Sequence, residues 1–309
     1  MTYKIRNVQS AIKLYFIILL LPLIATGQSV SDTSYHFAIK RPMYQVGTGS
    51  AITFDESHNN PHTLKGAYYA FNKLLTGDGY VLKRTREQVT ASILKNTNIY
   101  ITVNAMADPS NWDLPTHSVF KDHEINEIYE WVKKGGSLFL ITDHMPCPAS
   151  VNKLAEKFGF NILNGFALRK GGAPEIFSRL GNNLHSNLIT NTRGAVIDSI
   201  RIWGGTGFIV PKEASVISKL DENYTVYLPS KASEINYPSG AIPSVSGLGL
   251  VNGAFLKYGK GKVVVFGDSA PFTAQLQGIG SDKRGMNHVD ASQNAQFLLN
   301  IIHWLDNKL

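Results

Sequence analysis

Gly135-Gly136-Ser137-Leu138-Phe139-Leu140-Ile141-Thr142-Asp143-His144-Met145-Pro146 is the stretch on which the fold turns. The glycine pair ends a helix. Leu138 to Ile141 are four consecutive apolar residues, as in a strand buried on both faces of a parallel sheet. The pattern breaks at Thr142-Asp143-His144, which puts an acid and an imidazole at the carboxyl end of that strand. Open α/β sheets bind their ligands there. Two other apolar runs end in the same way: Ile52-Thr53-Phe54 into Asp55-Glu56-Ser57-His58, and Val263 to Phe266 into Gly267-Asp268-Ser269. The three loops are expected to form one site.

Outward from this strand the chain alternates strands and helices. Strands are expected at Ala51 to Phe54, Tyr80 to Lys83 and Ile99 to Val103, the last ending at Asn104. Helices are expected from about Thr63 to Leu75, over Thr90 to Leu94 and over Lys121 to Lys134. The third carries Asp122 and Glu124 in its first turn and Lys133 and Lys134 in its last, matching the helix dipole. A helix with Val151, Leu154, Ala155 and Phe158 on one face follows the central strand. Four such alternations predict a parallel sheet with helices on both faces. Beyond Asn164 the pattern weakens. Leu168 to Asn183 and Pro229 to Gly249 read as long loops, with strands near Val196 to Trp203, Ala214 to Leu220 and Tyr224 to Leu228. Gly253 to Tyr258 and Lys262 to Phe266 read as a hairpin, and Ala291 to Asp306 as the last helix.

Lys4, Arg6 and Lys13 precede an apolar run from Leu14 to Ile24 and a small-x-small site at Ala25-Thr26-Gly27. Residues 1–27 are therefore expected to be a signal peptide, and the protein exported to the periplasm or secreted, with no stable membrane insertion after cleavage. Residues 28–50 are expected to be a leader, and 51–309 a single α/β domain with an elaborated second half. Loss of the three basic residues takes the formal charge from +7 to +4. No dense basic run with interleaved aromatics occurs, so nucleic acid is not an expected partner. The one cysteine, Cys147, has no partner for an internal disulfide.

The run Glu124 to His144, together with Phe54-Asp55-Glu56-Ser57-His58-Asn59, resembles the glutamine-amidotransferase-like domains of exported bacterial proteins of unknown function. His185 to Thr190, with Asn187 departing from the pattern, looks like a further segment of those domains, and Gly261 to Ser269 like their closing strand. The resemblance spans most of residues 50–305. It implies a flavodoxin-like, three-layer α/β/α fold with a mostly parallel central sheet. It implies little about activity. Amidotransferases use a nucleophilic Cys in a Gly-x-Cys-x-Gly elbow, which this chain lacks, so glutamine amidotransferase activity is not expected.

Asp55, His58, Asp143 and His144 are the candidate catalytic residues. Oxygen and imidazole donors of this kind are usual ligands for zinc and similar divalent ions, so the same four are a candidate metal set. Without a metal, His58 or His144 is a candidate general base oriented by an Asp. The remaining alternative is that Asp55, Asp143 and Asp268 only cap helices and turns. Glu56, Asn59, Asn104, Asp268, Ser269, Asn287 and His288 are candidate ligand contacts. Ser269 and Cys147 are weaker candidates for a nucleophile. His62 reads as the start of a helix, and His185 and His303 as structural. Arg169, Lys170 and Arg179 read as loop cations, and Trp112, Trp203 and Tyr237 as stacking or packing groups. Gln277 to His288 is an expected mobile lid over the cleft. The expected function is hydrolase-like action on a small or carbohydrate-derived substrate. The alternative is a non-catalytic ligand- or glycan-binding module.

Overall fold

The computed structural model describes residues 29–278 and 280–309. The expected signal peptide lies outside them. Fourteen elements position the site: β1 (Ala51–Asp55), α1 (Tyr69–Gly77), β2 (Val81–Thr85), α2 (Ala91–Lys95), β3 (Ile99–Val103), α3 (Asp122–Lys133), β4 (Ser137–Ile141), α4 (Cys147–Glu156), β5 (Asn161–Ile162), β6 (Phe208–Ile209), β7 (Ser215–Lys219), β8 (Val251–Tyr258), β9 (Gly261–Phe266) and α5 (Asn294–Leu305). The sheet runs β2-β1-β3-β4-β9-β8-β6-β5, with β7 also paired to β8. The first five strands of that order are parallel, and the pairs beyond β9 are antiparallel. The protein is thus mixed α/β with a mostly parallel central sheet.

The side-chain period of two sorts the central strand onto two cores. Phe139 and Ile141 join Ile52, Phe54 and Ile101 beneath α1 and α5. Leu138 and Leu140 join Tyr100, Val263 and Val265 beneath α3 and α4. At the amino edge Ser137 Oγ donates to the Leu305 carbonyl at 2.7 Å, and Lys262 Nζ donates to that of Trp304, so α5 ends at that edge. Gly135 stops α3 in the left-handed region, φ 124°, where a side chain would be strained.

Two expected boundaries shift for local reasons. The α1 helix begins at Tyr69 rather than near Thr63, because residues 63–68 form hydrogen-bonded turns whose Leu64 N–H is held by Glu56 Oε1 at 3.0 Å. The expected lid is largely a hairpin: Ala274–Gln277 pairs with Asp282–Gly285. Val30–Ser31 adds a third strand to it, which draws the leader onto the domain. Leu168 to Asn183 also contains short strands, at its start and at Ile176–Ser178. Among the described residues no helix is long and apolar enough to cross a membrane.

Candidate functional site

Because β1, β4 and β9 are parallel, Asp55, Asp143 and Asp268 emerge at one edge of the sheet, as the sequence predicts. They do not form one site. Two separate clusters stand there.

The first is closed. Asp55 is fully buried and takes hydrogen bonds from Ser57 Oγ at 2.7 Å, Ser57 N–H at 3.0 Å and Thr102 Oγ1 at 2.8 Å. His58 Nδ1 faces its Oδ2 at 2.8 Å, while His58 Nε2 faces Glu124 Oε1 at 3.1 Å. Phe120 covers the imidazole with ring centroids 4.0 Å apart. Burial opposes a charge on His58, but the Asp55 carboxylate and then Glu124 raise its pKa above the ordinary histidine value. A carboxylate at each nitrogen favours the imidazolium, which donates from both. In that form it has no lone pair for a metal or for abstracting a proton. Glu124 also accepts Val89 N–H at 2.8 Å and Lys121 N–H at 3.0 Å. The cluster ties the β1 loop to the start of α3.

This corrects the expectation that Asp55 and His58 are catalytic residues or metal ligands. Among the described residues, no three His, Cys, Asp or Glu side chains are gathered as a metal site requires. The four expected ligands are not gathered at one point.

The second cluster borders a cavity of about 430 Å³. Asn104 Nδ2 donates to Ser269 Oγ at 3.0 Å, and Ser269 Oγ donates to Asp143 Oδ2 at 2.6 Å. The Asp143 Oδ1 accepts His144 N–H at 2.9 Å. Burial works to raise the Asp143 pKa, but His144 and the Ser269 hydrogen bond bring it below the usual carboxylate value. The hydroxyl is thus oriented toward an ionised acid that is a poor base. His144 Nδ1 donates to the Met145 carbonyl at 2.8 Å, so that when the ring is neutral Nε2 is the acceptor nitrogen. Its ring stacks on Phe166 at 4.7 Å and leans on Trp112 at 5.8 Å.

Asp268 lies behind the cavity rather than on it. Its carboxylate accepts Trp203 N–H at 2.5 Å and Ala270 N–H at 2.9 Å. Burial and the Asp143 charge push its pKa up to about 7. The Trp203 segment comes this close because Gly205 has φ 80°, and a Cβ there would meet the Gly267 carbonyl oxygen at 1.9 Å.

Several other expected contacts are also corrected. Glu56 is engaged by Leu64 N–H and by Arg84 and Arg86. Asn59 donates to the Met106 and Ala107 carbonyls and so shapes the loop after β3. Asn287 donates to Asp32 and to the Gln275 carbonyl, and His288 accepts Asp290 N–H as a helix cap. None of these four lines the cavity. Cys147 does line it, but burial pushes its thiol well above the ordinary range, which disfavours the thiolate a nucleophile needs. Arg179 is held by Ile197, Thr190 and Asp198 in the second half, and Arg169 and Lys170 border a different cleft.

The segment expected as a lid over the cleft reaches the cavity through Gln277 and Arg284; Gln275, just before it, and His62, read as the start of a helix, also line it. Asn104 Nδ2 reaches His62 Nδ1 at 3.4 Å. Burial lowers the His62 pKa; Asp143 opposes this and Arg284 adds to it, so His62 is neutral. The Arg284 guanidinium has no ion-pair partner among the described residues, and its Nη2 reaches the Trp203 carbonyl at only 3.4 Å. Two buried polar atoms of lining residues, Asn104 Oδ1 and Arg284 Nε, have no hydrogen-bond partner among the described residues.

No protein-family model and no curated protein matches the chain. Among solved structures, the mmIFT52 N-terminal domain is similar at TM-score 0.58 and 15% identity, over 83% of this chain and 97% of that one. A protein described as ThuA-like from Bacteroides uniformis aligns at 0.42 and 14%, over 87% and 94%. A protein from Thermoplasma acidophilum, described as part of a GMP synthase, aligns at 0.43 and 9%, over 82% and 95%. The first likeness shows a shared fold alone; the other two carry no argument.

Proposed function

We propose that this protein binds a small polar ligand of sugar size in the cavity bounded by Asn104, Trp112, Asp143 and Arg284. One feature carries it: the cavity gathers the side chains of Asn104, Asp143, Gln275, Gln277 and Arg284 beside the Trp112 ring. A few convergent polar groups and one cation in a concave lining with an aromatic wall are what orients a small ligand. Trp112 offers an aromatic face and Gln275, Gln277 and His62 offer side-chain donors and acceptors, which suits a hydroxylated ring. Arg284 suits a carboxylate on it.

The test is a thermal-shift screen of monosaccharides and their uronic acids, with and without chelator. A binder should raise the melting temperature equally in both, since ligand binding to the folded form adds RT ln(1 + [L]/Kd). Asn104→Ala and Arg284→Ala should abolish the shift. A shift that survives both substitutions would move the ligand elsewhere.

His144 favours a second function, hydrolysis of the bound ligand. Its Nδ1–H is committed to a carbonyl, so Nε2 is left to accept a proton from an attacking water. In that case His144→Ala loses turnover and keeps binding. As a setting for either function we read residues 51–309 as one flavodoxin-like, three-layer domain of the amidotransferase-like kind without its thiol. Residues 1–27 are its export signal. The β2-β1-β3-β4-β9 parallel order supports the first statement, and the basic start, apolar run and small-x-small site support the second.

A further inference from the structure

A second cavity of about 750 Å³ lies at the opposite, amino edge of the sheet, where α1 and α5 end. Lys40, Arg41, Arg193 and Lys308 border it, all exposed. Among the described residues none of the four has an ion-pair partner. Among the described residues the acidic side chain in the lining, Asp78, is already engaged, and the α-carboxylate of Leu309 also borders the groove. Asp78 is fully buried, faces His303 Nε2 at 2.6 Å and accepts Met43 N–H at 2.8 Å.

The backbone that carries the cations is fixed at the groove. Asp78 anchors the segment bearing Lys40 and Arg41: its carboxylate takes Met43 N–H and its carbonyl takes Tyr44 N–H at 3.1 Å. Asn300, buried on α5, donates to the Ile189 and Ala195 carbonyls at 2.8 Å each and so pins the turn bearing Arg193. Lys308 sits over the Tyr44 ring, 5.0 Å from its centroid. The carboxyl end of α5 disfavours an anion there. Lys308 offsets that end, and Lys40, Arg41 and Arg193 remain free.

We infer that this groove binds a phosphate-bearing ligand with more than one negative charge. Two guanidinium forks match phosphate oxygens bidentately, and the Lys40 ammonium adds point charge. The site is independent of the cavity at the carboxyl edge. The phosphate can belong to a free molecule or to a lipid headgroup, and both sources are tested below.

Pyrophosphate is titrated calorimetrically into the whole protein, at low and at physiological salt. In parallel the protein is sedimented with phosphatidylcholine vesicles, with and without phosphatidic acid. Wild type should bind pyrophosphate, more tightly at low salt. Arg41→Ala/Arg193→Ala should weaken it about tenfold or more. The equal-charge control Lys83→Ala/Lys121→Ala, on exposed lysines elsewhere, should leave it unchanged. Both double variants change exposed side chains and are expected to fold. Sedimentation that needs phosphatidic acid and is lost with Arg41→Ala/Arg193→Ala supports the site with a headgroup as its ligand. Pyrophosphate binding without sedimentation supports it with a free ligand. Absence of both, or equal weakening by the two double variants, overturns it.

Discussion

Asp55 and Asp143 both follow an apolar parallel strand, and each has a histidine within three residues along the chain. The chain closes one and leaves the other open. Around Asp55, His58 meets a second carboxylate, Glu124, under the Phe120 ring. The polar side-chain atoms of Asp55, Ser57, His58 and Glu124 all have protein partners, and the result is a fastening between β1 and α3. Around Asp143, the neighbouring His144 turns to a backbone carbonyl, the serine and asparagine chain reaches a cavity, and unmatched polar atoms remain. An acid and a histidine at a strand end therefore mark a site only when no third residue completes the pair.

The largest expected effect breaks the closed cluster. Removing one member of a buried charged group leaves the others uncompensated, which costs about 3–5 kcal/mol. His58→Ala should lower the urea-unfolding free energy by about that amount and leave ligand binding by the remaining folded protein intact. A loss below about 1 kcal/mol would show that the cluster is not a fastening.

Less drastic is the pH dependence of the same cluster. The folded pKa of His58 is raised, so its contribution is full below the unfolded value of about 6.5 and lost as pH rises through the folded value. Asp55 is held low despite its burial, chiefly by His58, so its contribution is lost as pH falls through its folded value. Unfolding measured from about pH 6.5, the unfolded value, upward should therefore show wild type losing stability that His58→Ala lacks from the start. Parallel curves for the two proteins would contradict the charged assignment.

The smallest effect on stability belongs to the open cluster. Trp112 is 40% exposed, and Trp112→Ala should change the unfolding free energy by no more than about 0.5 kcal/mol. It should nevertheless weaken ligand binding about tenfold, as loss of an aromatic platform does. Weakened stability with unchanged affinity would make Trp112 a packing residue only.

Much of this layout is legible in the residues. Leu138 to Ile141, Val263 to Phe266 and Ile99 to Val103 are apolar runs bounded by breakers, and the strand-end positions of Asn104, Asp143, His144 and Ser269 follow from them. Glu124 is legible only as a first-turn acid of α3. Its reach to His58, 66 residues away in sequence, depends on how α3 docks. Gln277 and Arg284 are legible only as parts of an expected lid, and Gln275 not at all, for another reason. Their segment is rich in glycine and polar residues and reads as a loop, whereas pairing with the strand before it, and with Val30–Ser31, sets three side chains on the cavity. Asn287 and His288, singled out for their chemistry, are turned aside by Asp32 and Asp290.

Amide hydrogen exchange measured with and without the tightest-binding uronic acid of the screen tests the division between the two clusters most directly. Saturating ligand should slow exchange in the hairpin Ala274–Gly285 and in residues 104–112, and leave Asp55 to Asn60 and α3 unchanged. Protection centred on Asp55 to Asn60 and α3, with the hairpin unaffected, would contradict it.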